Sequence, residues 1–150
     1  MIKFNPFDTF YKYKLNITNE QINQIKILMQ DNFTTYTKLN ILNFPVLFDL
    51  KKQVIDILND HNIFLDHNWA QLYNKSNNHG VHTHPYSVLS GIIYLTSEGT
   101  PTTFYDRAFN EYQNPVEKNT LVLFPSYIPH EVKTLKTNEN RLIISFNTKN

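Results

Sequence analysis

The stretch His79–Leu95, HGVHTHPYSVLSGIIYL, places three of the chain's six histidines within six residues and follows them with an apolar run. Val88–Leu95 reads as a buried strand, because small, β-branched and aromatic residues crowd it and a proline-containing turn precedes it. Gly80–His84 reads as a shorter strand before that turn. Side chains alternate along a strand, so His82 and His84 are expected to share a face. His79 has the opposite parity to His82 and is expected to face elsewhere.

Further short runs rich in Val, Ile, Tyr and Phe lie on both sides: Asn68–Tyr73, Thr102–Tyr105, Thr120–Phe124, Glu131–Leu135 and Arg141–Asn147. Their spacing and polar turns predict an antiparallel sandwich or barrel rather than a parallel sheet. The first 65 residues have a different texture. In ITNEQINQIKILMQ, Thr18 followed by Gln21 is a capping-box pattern, and Ile22, Ile25, Leu28 and Met29 fall on one helical face. PVLFDLKKQVIDILN, Pro45–Asn59, repeats that pattern with Leu47, Leu50, Val54, Ile57 and Leu58, and Pro45 suits a first helical turn. The expectation is one mainly-β α+β domain over residues 1–150. Its helical N-terminal part covers about 1–65 and packs on one sheet; its β-roll core covers about 66–150.

His130 stands in LVLFPSYIPHEV, where a buried-looking strand ends in a proline-flanked turn and a histidine opens the next strand. A histidine pair on one strand and a third at the start of another can surround a metal on one side and leave the other side open, as in facial non-haem iron sites. Imidazole suits Fe, Zn, Cu and Ni alike, so the spacing does not name the metal. The competing reading makes each histidine an ordinary core or surface residue. His61 and His67 sit in polar context and receive no role. Arg141 is one of two arginines and opens the apolar run RLIISFN. A guanidinium entering a roll interior needs an anionic partner, and the carboxylate of a small acid would serve. Tyr94 shares the parity of Ser90 and Ile92 and can offer a hydroxyl to the same carboxylate; otherwise it is a core tyrosine.

Composition narrows the classes. The chain has 150 residues, a formal charge of +1, no cysteine and three glycines. Disulfides and thiolate metal sites are excluded, and no glycine-rich phosphate loop can be written. There is no basic block for nucleic acid or an anionic membrane, no apolar run of membrane-spanning length, and no signal-peptide pattern in MIKFNPFDTFYKYK. The expected setting is cytoplasmic, and a host cytoplasm if the source is a virus. The bias towards Asn, Lys, Ile, Tyr and Phe reads as AT-rich coding, as in a phage or parasite.

HTHPYSVLSGIIYL, GTPTTFYD, LVLFPSYIPHEV and NRLIISFN resemble, in that order, the motifs of 2-oxoglutarate- and Fe(II)-dependent oxygenases. The nearest resemblance is to small phage and bacterial proteins with an H-x-H-P-x-S-x-L-S-G-x-x-Y-L signature, within the wider prolyl-hydroxylase-like superfamily; it spans about Trp69 to Asn147. The resemblance implies a double-stranded β-helix, a jelly-roll and cupin relative. It implies Fe(II) held by His82, His84 and His130, with O2 and 2-oxoglutarate as co-substrates. Arg141 would clamp the far carboxylate with help from Tyr94, and Tyr73 would line the co-substrate pocket. Hydroxylation of a peptide or small molecule by a monomer or homodimer would follow, with release of succinate and CO2. His84 stands where most of the superfamily has aspartate, so either a three-histidine site or a carboxylate such as Asp106 would complete the shell. Two other readings remain: a cupin-type three-histidine metalloenzyme that does not use 2-oxoglutarate, and a non-catalytic jelly-roll binding protein.

Overall fold

The computed structural model describes residues 10–30, 32–37, 39–74, 77–97, 99–134 and 140–150. Among these, nine strands form two sheets. The strands are β1 (Tyr11–Lys14), β2 (Phe64–Tyr73), β3 (His79–His82), β4 (Leu89–Tyr94), β5 (Thr102–Tyr105), β6 (Glu111–Asn114), β7 (Thr120–Pro125), β8 (His130–Val132) and β9 (Arg141–Lys149). The larger sheet runs β1-β7-β4-β9-β2 and the smaller β3-β8-β5-β6. All their pairings are antiparallel. The result is a jelly-roll pair of sheets rather than a closed barrel.

Two helices cover the outer face of the larger sheet. Helix α1 (Asn19–Met29) opens with the expected capping box: the Gln21 amide donates to Thr18 Oγ1 (3.1 Å), and the Thr18 amide donates to Gln21 Oε1 (3.0 Å). The segment from Pro45 begins as a tight 3-10 turn over Pro45–Leu47 before helix α2 (Phe48–Asp60). The buried stripe Ile22, Ile25 and Met29 of α1, with Leu50, Val54 and Leu58 of α2, joins one core with Ala70, Ile93, Leu121, Leu123, Leu142, Ile144 and Phe146 of the sheet. The intervening residues Tyr73, Ile92, Tyr94, Val122, Phe124 and Ile143 point the other way and form a second core between the sheets. Both faces of β4, β7 and β9 are therefore buried, which is why these strands read as continuous apolar runs.

Several boundaries differ from the sequence reading. Strand β1 lies within the part expected to be helical, as the edge strand paired to β7; residues 1–9 of that part lie outside the described residues. Its sequence, YKYK, and that of β6, EYQN, are too polar to carry an apolar strand signal. Strand β2 begins at Phe64 rather than Asn68, and β9 continues to Lys149. Strand β8 covers His130–Val132, and Leu135 of the expected strand lies outside the described residues. Strand β3 stops at His82, so His84 is not a strand residue.

Gly91 sits opposite Phe146 in the β4–β9 pairing, and a Cβ at Gly91 would overlap the Phe146 ring. The phenyl group needs that bare backbone in order to pack beneath the helices. Gly91→Ala should therefore lower the unfolding free energy by about 1–3 kcal/mol, the usual range for overpacking a core. Urea unfolding checks this, and an unchanged midpoint would show that the ring has room to move.

Candidate metal centre

The three histidines expected to act together are brought together. The β3–β8 pairing sets His82 opposite His130. His84, two residues past His82, is held by its amide donating to Ser126 O (2.9 Å). One ligand atom from each of the three lies within 4.8 Å of the others, and His84 Nε2 and His130 Nε2 are 3.3 Å apart. No carboxylate joins this group among the described residues.

Each ring is fixed from behind. His82 Nδ1 lies 2.7 Å from Gly80 O and His130 Nδ1 2.9 Å from Ile128 O. Carbonyl oxygens only accept, so both Nδ1 atoms carry the proton and leave the Nε2 lone pairs free. His84 Nδ1 donates to Asn147 Oδ1 (2.7 Å), with the same result. An outer acceptor on the far nitrogen is the usual support of a metal-ligating imidazole. Burial lowers the pKa of His82 and His84 and holds His130 well below its ordinary value, so all three rings are neutral near pH 7. Three inward lone pairs with no proton between them suit a divalent transition metal.

His79 belongs to this neighbourhood, contrary to its expected parity. A register shift lies between the His79 and His82 pairings of β3 with β8, and the bulge turns His79 back towards the cluster. Its ring stacks on His82 with centroids 3.8 Å apart, and its Nδ1 lies 3.4 Å from the Tyr73 hydroxyl. Burial, reinforced by the neighbouring histidines, lowers its pKa to about 4. Asn147 was also missed. It follows Arg141, Ile143 and Ser145 at every second position of β9, and that repeat was the available signal.

Arg141 is 0% exposed. Its Nη2 donates to Thr102 Oγ1 (2.7 Å), while Nε and Nη1 have no hydrogen-bond partner. The guanidinium carbon lies 4.9 Å from the Tyr73 ring centroid and 5.4 Å from that of Tyr94. Burial pushes the Tyr73 hydroxyl up to about 12, with the Arg141 charge opposing the rise. The Tyr94 hydroxyl is already engaged, 2.7 Å from Thr102 Oγ1 and accepting from Asn114 Nδ2 (3.1 Å). Tyr94 therefore offers the guanidinium its ring and reaches it otherwise only through Thr102. Asp106 is engaged elsewhere, capping the turn after β5 by accepting from the amides of Ala108 and Asn110, the Asn110 side chain and the Tyr112 hydroxyl. His61 pairs with Tyr13 and His67 with Asn40, both apart from the cluster.

The triad, Tyr73, Thr102 and Arg141 line one narrow chamber between the sheets. His79, His82, His84, Trp69 and Gln71 also border a cleft of about 420 Å³ that opens to the surface. The rest of its wall includes Phe33, Tyr36, Asn78, Pro85 and Tyr86, and among the described residues no Lys, Arg, Asp or Glu side chain lines it.

No protein-family model matches the sequence. No curated protein matches it. Solved structures do match. The viral collagen prolyl hydroxylase of Paramecium Bursaria Chlorella virus-1, in its 2OG complex, aligns at TM-score 0.70 and 12% identity, covering 94% of this chain and 95% of that one. The non-heme alpha ketoglutarate dependent epimerase SnoN from nogalamycin biosynthesis aligns at TM-score 0.74 and 10% identity, covering 95% and 78%. A 2OG-Fe(II) oxygenase family oxidoreductase from Burkholderia pseudomallei aligns at TM-score 0.61 and 14% identity over 72% of this chain, which spans 58% of that protein. The fold is the jelly roll of the 2OG-Fe(II) oxygenases. The expected double-stranded β-helix is thereby borne out, and identities this low speak to fold alone.

Two outcomes are expected of the isolated protein. Titrated anaerobically with Fe(II), it should bind one metal ion, His130→Ala should abolish binding, and Asn147→Ala should weaken it about 10–100-fold by freeing the His84 ring. Retention of full metal by all three single His→Ala variants would rule the triad out. The pH dependence of the metal-free protein has a fixed sign. The buried histidines bind protons less readily folded than unfolded, so stability is fully present above the ordinary histidine value of about 6.5 and is lost as pH falls towards the His79 value of about 4. Urea midpoints measured across that window check it.

Proposed function

We propose that this protein is an Fe(II)- and 2-oxoglutarate-dependent oxygenase of the H-x-H-P-x-S-x-L-S-G-x-x-Y-L type, with His82, His84 and His130 as the metal ligands. The observation that carries this reading is a shared chamber. Three neutral imidazoles present their Nε2 atoms in the same space in which a fully buried arginine keeps two unpartnered donors. Burying an ion has an effective penalty of several kcal/mol. Two aromatic faces at roughly 0.5–2 kcal/mol each and one neutral hydrogen bond do not balance it comfortably. A small dicarboxylate reaching from the metal to Arg141 would supply the missing charge, so the residues present fit both the metal and the co-substrate.

When bound, the iron supplies dioxygen activation coupled to decarboxylation of 2-oxoglutarate to succinate and CO2. The chain's own residues do the rest. Gly80 O, Ile128 O and Asn147 hold the three rings in the donor tautomer. Tyr94 and Asn114 fix Thr102, and Thr102 fixes one end of the guanidinium, so Nε and Nη1 await the carboxylate. Tyr73 and Ile143 wall the chamber against water. Substrate enters by the open cleft, whose described lining is aromatic, amide and imidazole and suits a neutral peptide or small molecule, hydroxylation being the default outcome. No helix among the described residues is long and apolar enough to cross a membrane. A cytoplasmic monomer or homodimer completes the proposal.

The cupin reading shares the histidines but leaves Arg141 without a task, and the comparison tests that difference. Arg141→Ala should bind Fe(II) normally, which also reports an intact fold, yet bind 2-oxoglutarate at least about tenfold more weakly. A charged hydrogen bond is worth roughly 1.5–3 kcal/mol, and 1.4 kcal/mol is a factor of ten. Arg141→Lys should recover part of the loss. The metal-to-ligand absorption band during anaerobic titration measures both. No band and no binding in the wild type would remove 2-oxoglutarate and leave the cupin reading.

A further inference from the structure

A second groove lies at the same end of the sheets as the triad. It has a volume of about 610 Å³ and is walled by two turns, residues 105–109 after β5 and residues 127–129 before β8. Among the described residues it shares no lining side chain with the open cleft. Strand pairing sets it there. Phe104 stands opposite His130, and the Tyr105 amide donates to Pro129 O (2.9 Å). The second turn also supports two candidate ligands, since Ile128 O accepts from His130 Nδ1 and Ser126 O from the His84 amide.

The first turn spends its polar groups on its own shape. The Asp106 carboxylate is filled by the four donors named above, and the Phe109 amide donates to Asp106 O (3.0 Å). Phe109 is held at a φ of +61°, a region that bulky side chains rarely occupy. The other described non-glycine residues at positive φ are Gln30, the C-cap of α1, and two asparagines, Asn62 and Asn119. The backbone is thus bent to carry an apolar ring that is 77% exposed, and Tyr127 on the other turn is 65% exposed. Arg107 is exposed, and among the described residues no hydrogen bond or ion pair engages its guanidinium. The acidic side chains on the adjoining strands are taken: Glu111 accepts from Lys133 (2.8 Å), and Glu131 from the Tyr105 hydroxyl.

We propose that this groove docks an acidic peptide segment, whose carboxylate meets Arg107 and whose neighbouring apolar side chain lies between Phe109 and Tyr127. The free charge of the groove is one unpaired guanidinium, which calls for an anion. Exposed aromatic rings beside an arginine are the composition of protein-binding surfaces. One cation is too few for a phosphate backbone or an anionic membrane. A small-molecule site encloses most of its ligand, whereas a groove between two surface turns fits an extended chain. That the segment belongs to the substrate rests on the metal-centre reading above; the docking itself does not.

The full-length protein should be used to select from a bead-bound library of random heptapeptides, with the affinity of the enriched peptides read by fluorescence anisotropy. The expected peptides carry Asp or Glu next to an aromatic, leucine or proline residue. Arg107→Glu should weaken them at least about tenfold. Exchanging the peptide's acid for its amide should cost the wild type as much and the Arg107→Glu variant little, which places the two charges in contact. Phe109→Gly takes the positive φ without strain, so it should hold its urea midpoint while losing the peptides. A ring with only a structural role would show the reverse. Enrichment of no peptide, or of peptides without an acidic residue, overturns the proposal. Equal binding by wild type, Arg107→Glu and Phe109→Gly does so too. Fe(II) titration of the same samples keeps the two readings apart. A wild type that binds these peptides but no metal sustains the docking and sinks the metal centre, and one that binds metal but no peptide does the opposite.

Discussion

Strand β9 is buried on both faces from Arg141 to Phe146, so each of those residues must serve one of two interiors. Leu142, Ile144 and Phe146 close the core beneath the helices. Arg141, Ile143, Ser145 and Asn147 face the space between the sheets. A one-residue slip in register would send the guanidinium into the helix core and three large apolar groups into the chamber. The Gly91–Phe146 fit pins that register from the neighbouring strand. The site therefore depends on an apolar layer that touches none of its chemistry, and the N-terminal helices supply the cover that makes β9 a two-sided strand.

The same alternation explains what could be read from the chain. The capping box of α1 and the inward parity of Arg141 on β9 are local patterns with a fixed period, and each is where its period puts it; His82 and His84 meet although the strand that gave them a shared face ends at His82. Strands β1 and β6 carry alternating polar residues at sheet edges, where pairing rather than burial defines the strand, so hydrophobic patterning was silent there. His79 shows the other limit. Parity along β3 fails at one bulge, and a bulge depends on how the partner strand fits, which the local sequence does not encode. Asn147 lay in a recognised strand on the correct face, but an amide at a strand end has no distinctive signal until its partner across the sheet is known.

The histidine at position 84 alters the charge balance of the whole chamber. Aspartate there would neutralise part of a bound divalent ion; imidazole neutralises none. The side chain behind it makes the same choice, since Asn147 is a neutral acceptor that cannot take the His84 proton, as a carboxylate could. With Arg141 in the same space, the chamber holds a fixed positive charge of its own and would gain two more with the metal. On the proposed reading such a site would be held together by a bound anion, since no carboxylate of the described residues joins it. A dianion that spans the metal and the guanidinium would satisfy both charges at once, whereas a monoanion or neutral ligand would leave one of them buried and uncompensated. On the proposed reading, histidine in place of aspartate would make occupancy of the metal site depend more on a bound dicarboxylate, because no carboxylate joins the three imidazoles among the described residues.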